Sequence, residues 1–207
     1  YLIGTDGGLL TTPRQVTEAF LSPGERIDVL LDLSRAHVGE TVWLKSLRFS
    51  GADDCGMMGG GMGQCGNLPT GSQFSILKLN VTRRIPFDKK VPSELSSIAP
   101  IDTSDAETRR FTLSFAMMRW LINGLSFDMD YVPVTVTSGS TEIWEITNPL
   151  TSMGGGMMGI MNMPHPMHIH GFQFQVLERI NSPYQVRRLA VNNQGLLETD
   201  GGLKDTV

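Results

Sequence analysis

Three of the chain's four histidines fall within one short run, His165-Pro166-Met167-His168-Ile169-His170-Gly171. Neutral imidazole is a versatile metal ligand that suits copper, zinc, iron and nickel alike. His168 and His170 are two residues apart, a spacing that on a strand points both rings to one face. A strand is expected here, because Gln173-Phe174-Gln175-Val176-Leu177 follows directly and reads as one. Pro166 cannot donate to a ladder, so the strand proper should begin after it. That leaves His165 in the entering turn, free to aim elsewhere, and lets one segment serve two metal sites. Taken alone, a His-x-His pair fits one edge of a zinc site or, less readily, two surface histidines.

Softer donors surround this run. The chain holds 12 methionines and 23 glycines, and most of the methionines lie in two Gly-rich stretches. Glycines leave no periodic face to bury, so these methionines do not read as core packing. Thioethers favour Cu(I) among common ions. One stretch, Ser152 to Pro164, carries Met157, Met158, Met161 and Met163 directly onto the histidines. In the other, Cys55 and Cys65 bracket Met57, Met58 and Met62. The two cysteines can close a disulfide, which would restrain a Gly-rich loop by about 3 kcal/mol. Thiolate and thioether binding of Cu(I) is the alternative; the disulfide is favoured because the pair is isolated.

The elements that must carry these residues read as short strands. Ile3–Leu10 gives strand, Gly-rich turn, strand; Ile27–Leu33, Thr41–Lys45, Phe74–Val81, Phe111–Phe115 and Thr141–Asn148 follow. That spacing predicts an all-β sandwich architecture. Pro86, Pro92 and Pro100, with many charges around them, mark residues 84–110 as a linker between segments 1–83 and 111–207. His37, in a polar turn, reads as a solvated surface residue. A net charge of −4 with no basic block argues against nucleic acid as a partner. No apolar run is long enough to span a bilayer. The chain begins and stops on strand-like residues, which reads as an internal fragment.

The string HPMHIHG, followed by its Phe-Gln-Phe-Gln-Val-Leu strand, resembles the third-domain copper motif HPxHxHG of the multicopper oxidases. Ile122-Asn123-Gly124-Leu125-Ser126-Phe127-Asp128-Met129 is similar to the segment that opens that domain. Thr141–Asn148 resembles the strand before the histidines. Ile3–Leu10 with the Pro23-Gly24-Glu25-Arg26 turn and Asp28 resembles the second domain, where Arg26 and Asp28 are expected to make structural contacts. The resemblance implies cupredoxin-like, antiparallel Greek-key β-sandwiches, two of them partial, with very little helix. Segment 1–83 would be the second domain, without copper ligands, and 111–207 the first part of the third.

The family's roles pass to His165 as a type 1 copper ligand, His168 as a type 2 ligand and His170 as a type 3 ligand. Four coppers would be present in the complete enzyme, with the remaining ligands on other segments. The implied reaction is one-electron oxidation of Cu(I) or a small phenol, coupled to reduction of O2 to water, in the periplasm or outside the cell. Met163 matches a methionine that holds substrate copper in the cuprous oxidases, whereas Met161 stands where those enzymes have an aspartate. Met157 and Met158 are further substrate-copper candidates. Two departures are evident: the Met-rich helical insert before the Ile-Asn-Gly segment is missing, and no His-Cys-His is present. A non-enzymatic, Met-rich copper-binding or storage module is the alternative.

Overall fold

The computed structural model describes residues 1–50, 71–116, 119–149 and 164–207. Strands β1 (Leu2–Thr5), β2 (Gly8–Arg14) and β3 (Ile27–Val29) form an antiparallel sheet in the order β2-β1-β3. The turn between β1 and β2 is tight for a specific reason. A Cβ on Gly7 would sit 2.8 Å from the Leu203 carbonyl, which instead accepts a 2.8 Å hydrogen bond from the Gly7 amide. Strand β3 is shorter than the expected Ile27–Leu33. Asp32 takes the Ser34 amide at 2.8 Å, a side-chain turn that competes with the ladder and bends the chain away.

Strands β4 (Thr41–Ser46) and β5 (Phe74–Asn80) pair antiparallel, with a bulge between Leu44 and Lys45. Among the described residues, helix is confined to one turn, α1 (Tyr184–Arg187), and a 3-10 turn at Glu198–Gly201. The all-β expectation holds.

The sheet of β6 (Glu107–Ala116), β7 (Arg119–Ile122) and β8 (Glu142–Thr147) has the order β7-β6-β8. Strand β6 changes partner along its length. Glu107–Thr112 pair with β8, and Leu113–Ala116 pair with β7. The β6–β8 pairing is parallel, which corrects the expectation of purely antiparallel sheets. The physical reason is the connection after β7: residues 123–141 are long enough to carry the chain back beside the start of β6, as parallel neighbours require.

That return begins at Asn123-Gly124, with φ of 52° and 77° and reciprocal Ile122–Leu125 backbone hydrogen bonds of 2.9 and 3.0 Å. Positive φ at both central residues is why Asn-Gly suits this two-residue turn. The Asn123 side chain also fixes the switch point in β6: its Oδ1 accepts from the Thr112 amide at 2.7 Å and its Nδ2 donates to the Arg110 carbonyl at 3.0 Å. Phe111 and Leu113 are buried, and the Phe111 ring meets Trp144 at 4.7 Å.

The chain divides into two compact units, Tyr1–Ala99 with Pro166–Val207, and Pro100–His165. Residues 166–207 thus lie in the same unit as the β1–β3 sheet. Charge explains it. Lys204 is fully buried; its Nζ lies 2.5 Å from Glu25 Oε1 and 3.8 Å from Asp6 Oδ2. Asp6 and Glu25 are themselves 0% and 2% exposed at the side chain. Nearby, Arg179 holds Asp200 through two 2.7 Å hydrogen bonds, and Leu2, Leu10, Val186 and Leu197 form the apolar core of this unit.

Two outcomes are expected. Lys204→Ala leaves buried Glu25 without its cation and Asp6 with only Arg26, at 3.6 Å, and removal of one partner of a buried ion pair costs about 3–5 kcal/mol. The midpoint of denaturant unfolding should fall accordingly; a loss below about 1 kcal/mol would show that the buried cation does not fasten this unit. In the other unit, Arg109 donates to both Glu142 oxygens at 2.8 and 2.7 Å and Trp144 adds a third bond at 2.8 Å. Those bonds hold the Glu142 carboxyl down from 4.5 to about 2. A depressed carboxyl contributes stability that is complete above its unfolded value and is lost as pH falls through its folded one. Thermal unfolding followed from pH 5 to pH 2 should therefore show an acid-side decline that Glu142→Gln flattens; parallel curves for the two proteins would refute the linkage.

Candidate metal centre

Residues 164–170 alternate strictly between exposed and half-buried positions. His168 and His170 share the exposed face; His165, Met167 and Ile169 take the other parity. A narrow antiparallel ladder with the 205–207 segment enforces this. Met167 and Val207 exchange hydrogen bonds of 2.8 and 3.0 Å, and the Ile169 amide donates to the Asp205 carbonyl at 2.9 Å. Gly171, at φ +77°, then breaks the extended run. The chain rejoins its partner once, through the reciprocal Phe174–Lys204 bonds of 2.8 and 3.0 Å. The expected strand at Gln173–Leu177 is therefore reduced to an isolated bridge at Phe174. Beyond it, Gln175 turns its side chain to the Ala99 carbonyl at 2.9 Å.

The His168 and His170 rings stand edge to face, 4.7 Å between centroids. They open onto a cleft of about 500 Å³, which Phe172, Gln173 and Asp205 also line. His168 Nδ1 lies 3.0 Å from the Asp205 carbonyl oxygen and 2.9 Å from Thr206 Oγ1. A carbonyl can only accept, so Nδ1 carries the proton. The Thr206 hydroxyl spends its own proton on Asp205 Oδ1 at 2.8 Å, which leaves its lone pairs for the same imidazole N–H. The lone pair of His168 is thus on Nε2, the nitrogen left for a metal. Asp205 is ionised: two hydrogen bonds from Arg26, at 2.7 and 2.6 Å, are the main reason that its carboxyl is held well below the usual carboxylate range.

His165 belongs to the other unit. Its ring meets Trp120 edge-on at 5.0 Å, and burial lowers its pKa, favouring the neutral imidazole that a metal requires. Met157, Met158, Met161, Met163, Cys55 and Cys65 lie outside the described residues. Among the described residues no group of three or more His, Cys, Asp or Glu side chains is arranged to hold a metal. His168 and His170 present two imidazoles to one cleft. His37 is exposed, as its polar turn suggests.

Sequence reasoning missed Asp205 and Thr206, and it took Arg26 as structural only. An Asp-Thr pair at the edge of an expected strand carries no sign that its carbonyl and hydroxyl serve an imidazole 37 residues away. The one available signal was Arg26 itself, a charged residue in a Pro-Gly turn, and its near neighbours Glu25 and Asp28 gave it acidic partners close at hand.

A family profile described as multicopper oxidase matches residues 102–207. Among curated proteins, the chain is 30% identical over 186 residues to a laccase of Bacillus stratosphericus, covering 86% of this chain and 31% of that protein. It is 29% identical to a cell division protein, FtsP, of Pectobacterium atrosepticum, covering 100% of this chain and 36% of the relative. Among solved structures, the McoA multicopper oxidase of the hyperthermophile Aquifex aeolicus superposes with a TM-score of 0.72 at 33% identity, covering 100% of this chain and 39% of that one. The chain spans about 29% of the length of the first curated relatives it matches.

Proposed function

The chain belongs to the multicopper oxidase family, and from that premise we propose that the protein containing it oxidises a substrate one electron at a time and reduces O2 to water. Its fold is the all-β, cupredoxin-like one of that family. The observation that carries the proposal is the shared face of His168 and His170, with His168 held by Asp205 and Thr206 so that Nε2 is the free donor. This donor set fits copper, which imidazole suits. Copper, when bound, supplies the one-electron redox chemistry.

In this reading His168 and His170 would hold the type 2 and type 3 coppers, which would supply the chemistry that reduces O2 to water. His165 would hold the type 1 copper, which would supply the one-electron chemistry toward the substrate, and Trp120 packs against its ring edge and limits its motion. The neutral state of His165 keeps a lone pair available. The other ligands of all four coppers come from segments outside this chain. The substrate is Cu(I) or a small phenol, and the work is done in the periplasm or outside the cell. Met161 and Met163, four and two positions before His165, are the proposed thioether seat for Cu(I), with Met157 and Met158 beside them in sequence.

A second reading is favoured by the relatives named as cell division proteins: a role on this scaffold without oxidase turnover, including copper binding or storage through its methionines. The full-length protein separates the two. An oxidase should be blue when copper-loaded and consume O2 with a reductant. His165→Ala should abolish the blue colour, whereas His168→Ala should keep it and lose O2 reduction by more than the roughly 10–100-fold that outer-shell losses cost. A copper-loaded protein that is colourless and takes up no O2 would sink the oxidase reading.

The substrate is tested separately. Met161→Ala with Met163→Ala should raise KM for Cu(I) and lower kcat/KM, while oxidation of a small phenol holds steady. Unchanged Cu(I) kinetics would remove these methionines from the substrate site.

A further inference from the structure

We propose that Arg26, braced by Asp6, is a positioning residue for His168 and acts on it through Asp205 and Thr206. The inference rests on the reading of His168 as a copper ligand and extends it to residues that touch no metal.

The chain of contacts starts at Asp6, whose side chain is fully buried. One of its oxygens accepts from the Arg26 amide at 2.7 Å. The other accepts from the Asp205 and Thr206 amides, both at 3.2 Å. A single carboxylate thereby holds the backbone under Arg26 and the backbone under the groups that face His168. Arg26 then closes the loop through its side chain. Nη1 donates to the Gly24 carbonyl at 3.0 Å and to Asp205 Oδ1 at 2.7 Å; Nη2 donates to Asp205 Oδ2 at 2.6 Å and to the Asp6 carbonyl at 3.3 Å. The fork is planar, and both of its arms engage the carboxylate, so it sets the plane of Asp205 as well as its charge.

Orientation passes on from there. Asp205 Oδ1, fixed by Arg26, receives the Thr206 hydroxyl proton at 2.8 Å. Thr206 is 1% exposed, so that hydroxyl has no solvent to turn to. Its lone pairs face His168 Nδ1 at 2.9 Å, beside the Asp205 carbonyl at 3.0 Å. Two acceptors on one N–H fix both the tautomer and the rotation of the ring. His168 itself is 42% exposed at the side chain, so little packing would hold the ring if these acceptors moved. The competing view is that Arg26 and Asp205 form a clasp that only holds two segments together.

The test uses the copper-loaded full-length protein and reads the electron paramagnetic resonance of the non-blue copper and the copper retained against a chelator, with the blue absorption as internal reference. Arg26→Lys keeps the charge but loses the fork. It should alter the non-blue signal and weaken retention of that copper about 10–100-fold, the cost typical of a lost outer-shell partner, while the blue absorption stays unchanged. Thr206→Val should reproduce the effect, and Thr206→Ser should restore the wild-type signal. Wild-type signal and retention in both Arg26→Lys and Thr206→Val, even with a lower unfolding temperature, would overturn the proposal in favour of the clasp. If Arg26→Lys does not fold, the Thr206→Val and Thr206→Ser pair decides. His168→Ala serves as the separate control: should it keep the full copper complement, the ligand assignment fails, and not merely the positioning role of Arg26.

Discussion

The structure around the histidine cleft depends on one buried carboxylate. Asp6 has no solvent at its side chain, yet it collects the amides of Arg26, Asp205 and Thr206 and stands near the Lys204 ammonium. Burying an ionised carboxylate is costly unless cations and donors surround it. Here both are supplied from segments far apart in sequence, so the turn after β1, the loop before β3 and the last residues can satisfy it only together. The ladder that sets the parity of His168 and His170 is built on those same last residues. A local rearrangement at Asp6 would therefore be felt at the imidazoles without any change in the His-x-His segment.

The second unit solves a different problem. Strand β6 serves β8 with its first half and β7 with its second. One residue, Asn123, makes that possible, since it supplies both the left-handed turn and the hydrogen bonds at the switch point. Without a side-chain amide there, the Thr112 amide and the Arg110 carbonyl would each lose a partner where the strand changes neighbours. Arg109 and Glu142 fasten the parallel half at its start, and the Phe111–Trp144 contact fills the middle.

Much of this was legible in the chain. The strands at Thr41–Lys45, Phe74–Val81 and Thr141–Asn148 show their alternation, and the parity of His168 and His170 follows from a spacing of two. What was not legible depended on distant partners. Whether Gln173–Leu177 forms a strand is decided by how far a facing segment stays in register, and Gly171 ends that register early. The parallel pairing of β6 and β8 depends on where a long connection lands, which period-2 patterns do not encode. The tie between Arg26 and Asp205 joins residues 179 apart in the chain, and the group that holds His168 most directly includes a backbone carbonyl, which every residue type possesses.

Lys204 carries one more consequence. A lysine ammonium is ordinarily the most accessible nucleophile on a protein and a standard cleavage point for trypsin, but this one is 0% exposed and flanked by carboxylates. Acylating reagents and the protease can reach it only in molecules whose first unit has opened. Its rate of modification is thus a clock for that opening, governed by the population of the open form when reclosure is fast. Because the residue lies beside the segment that faces His168, the same clock would register any ligand whose binding at the cleft stabilises this unit.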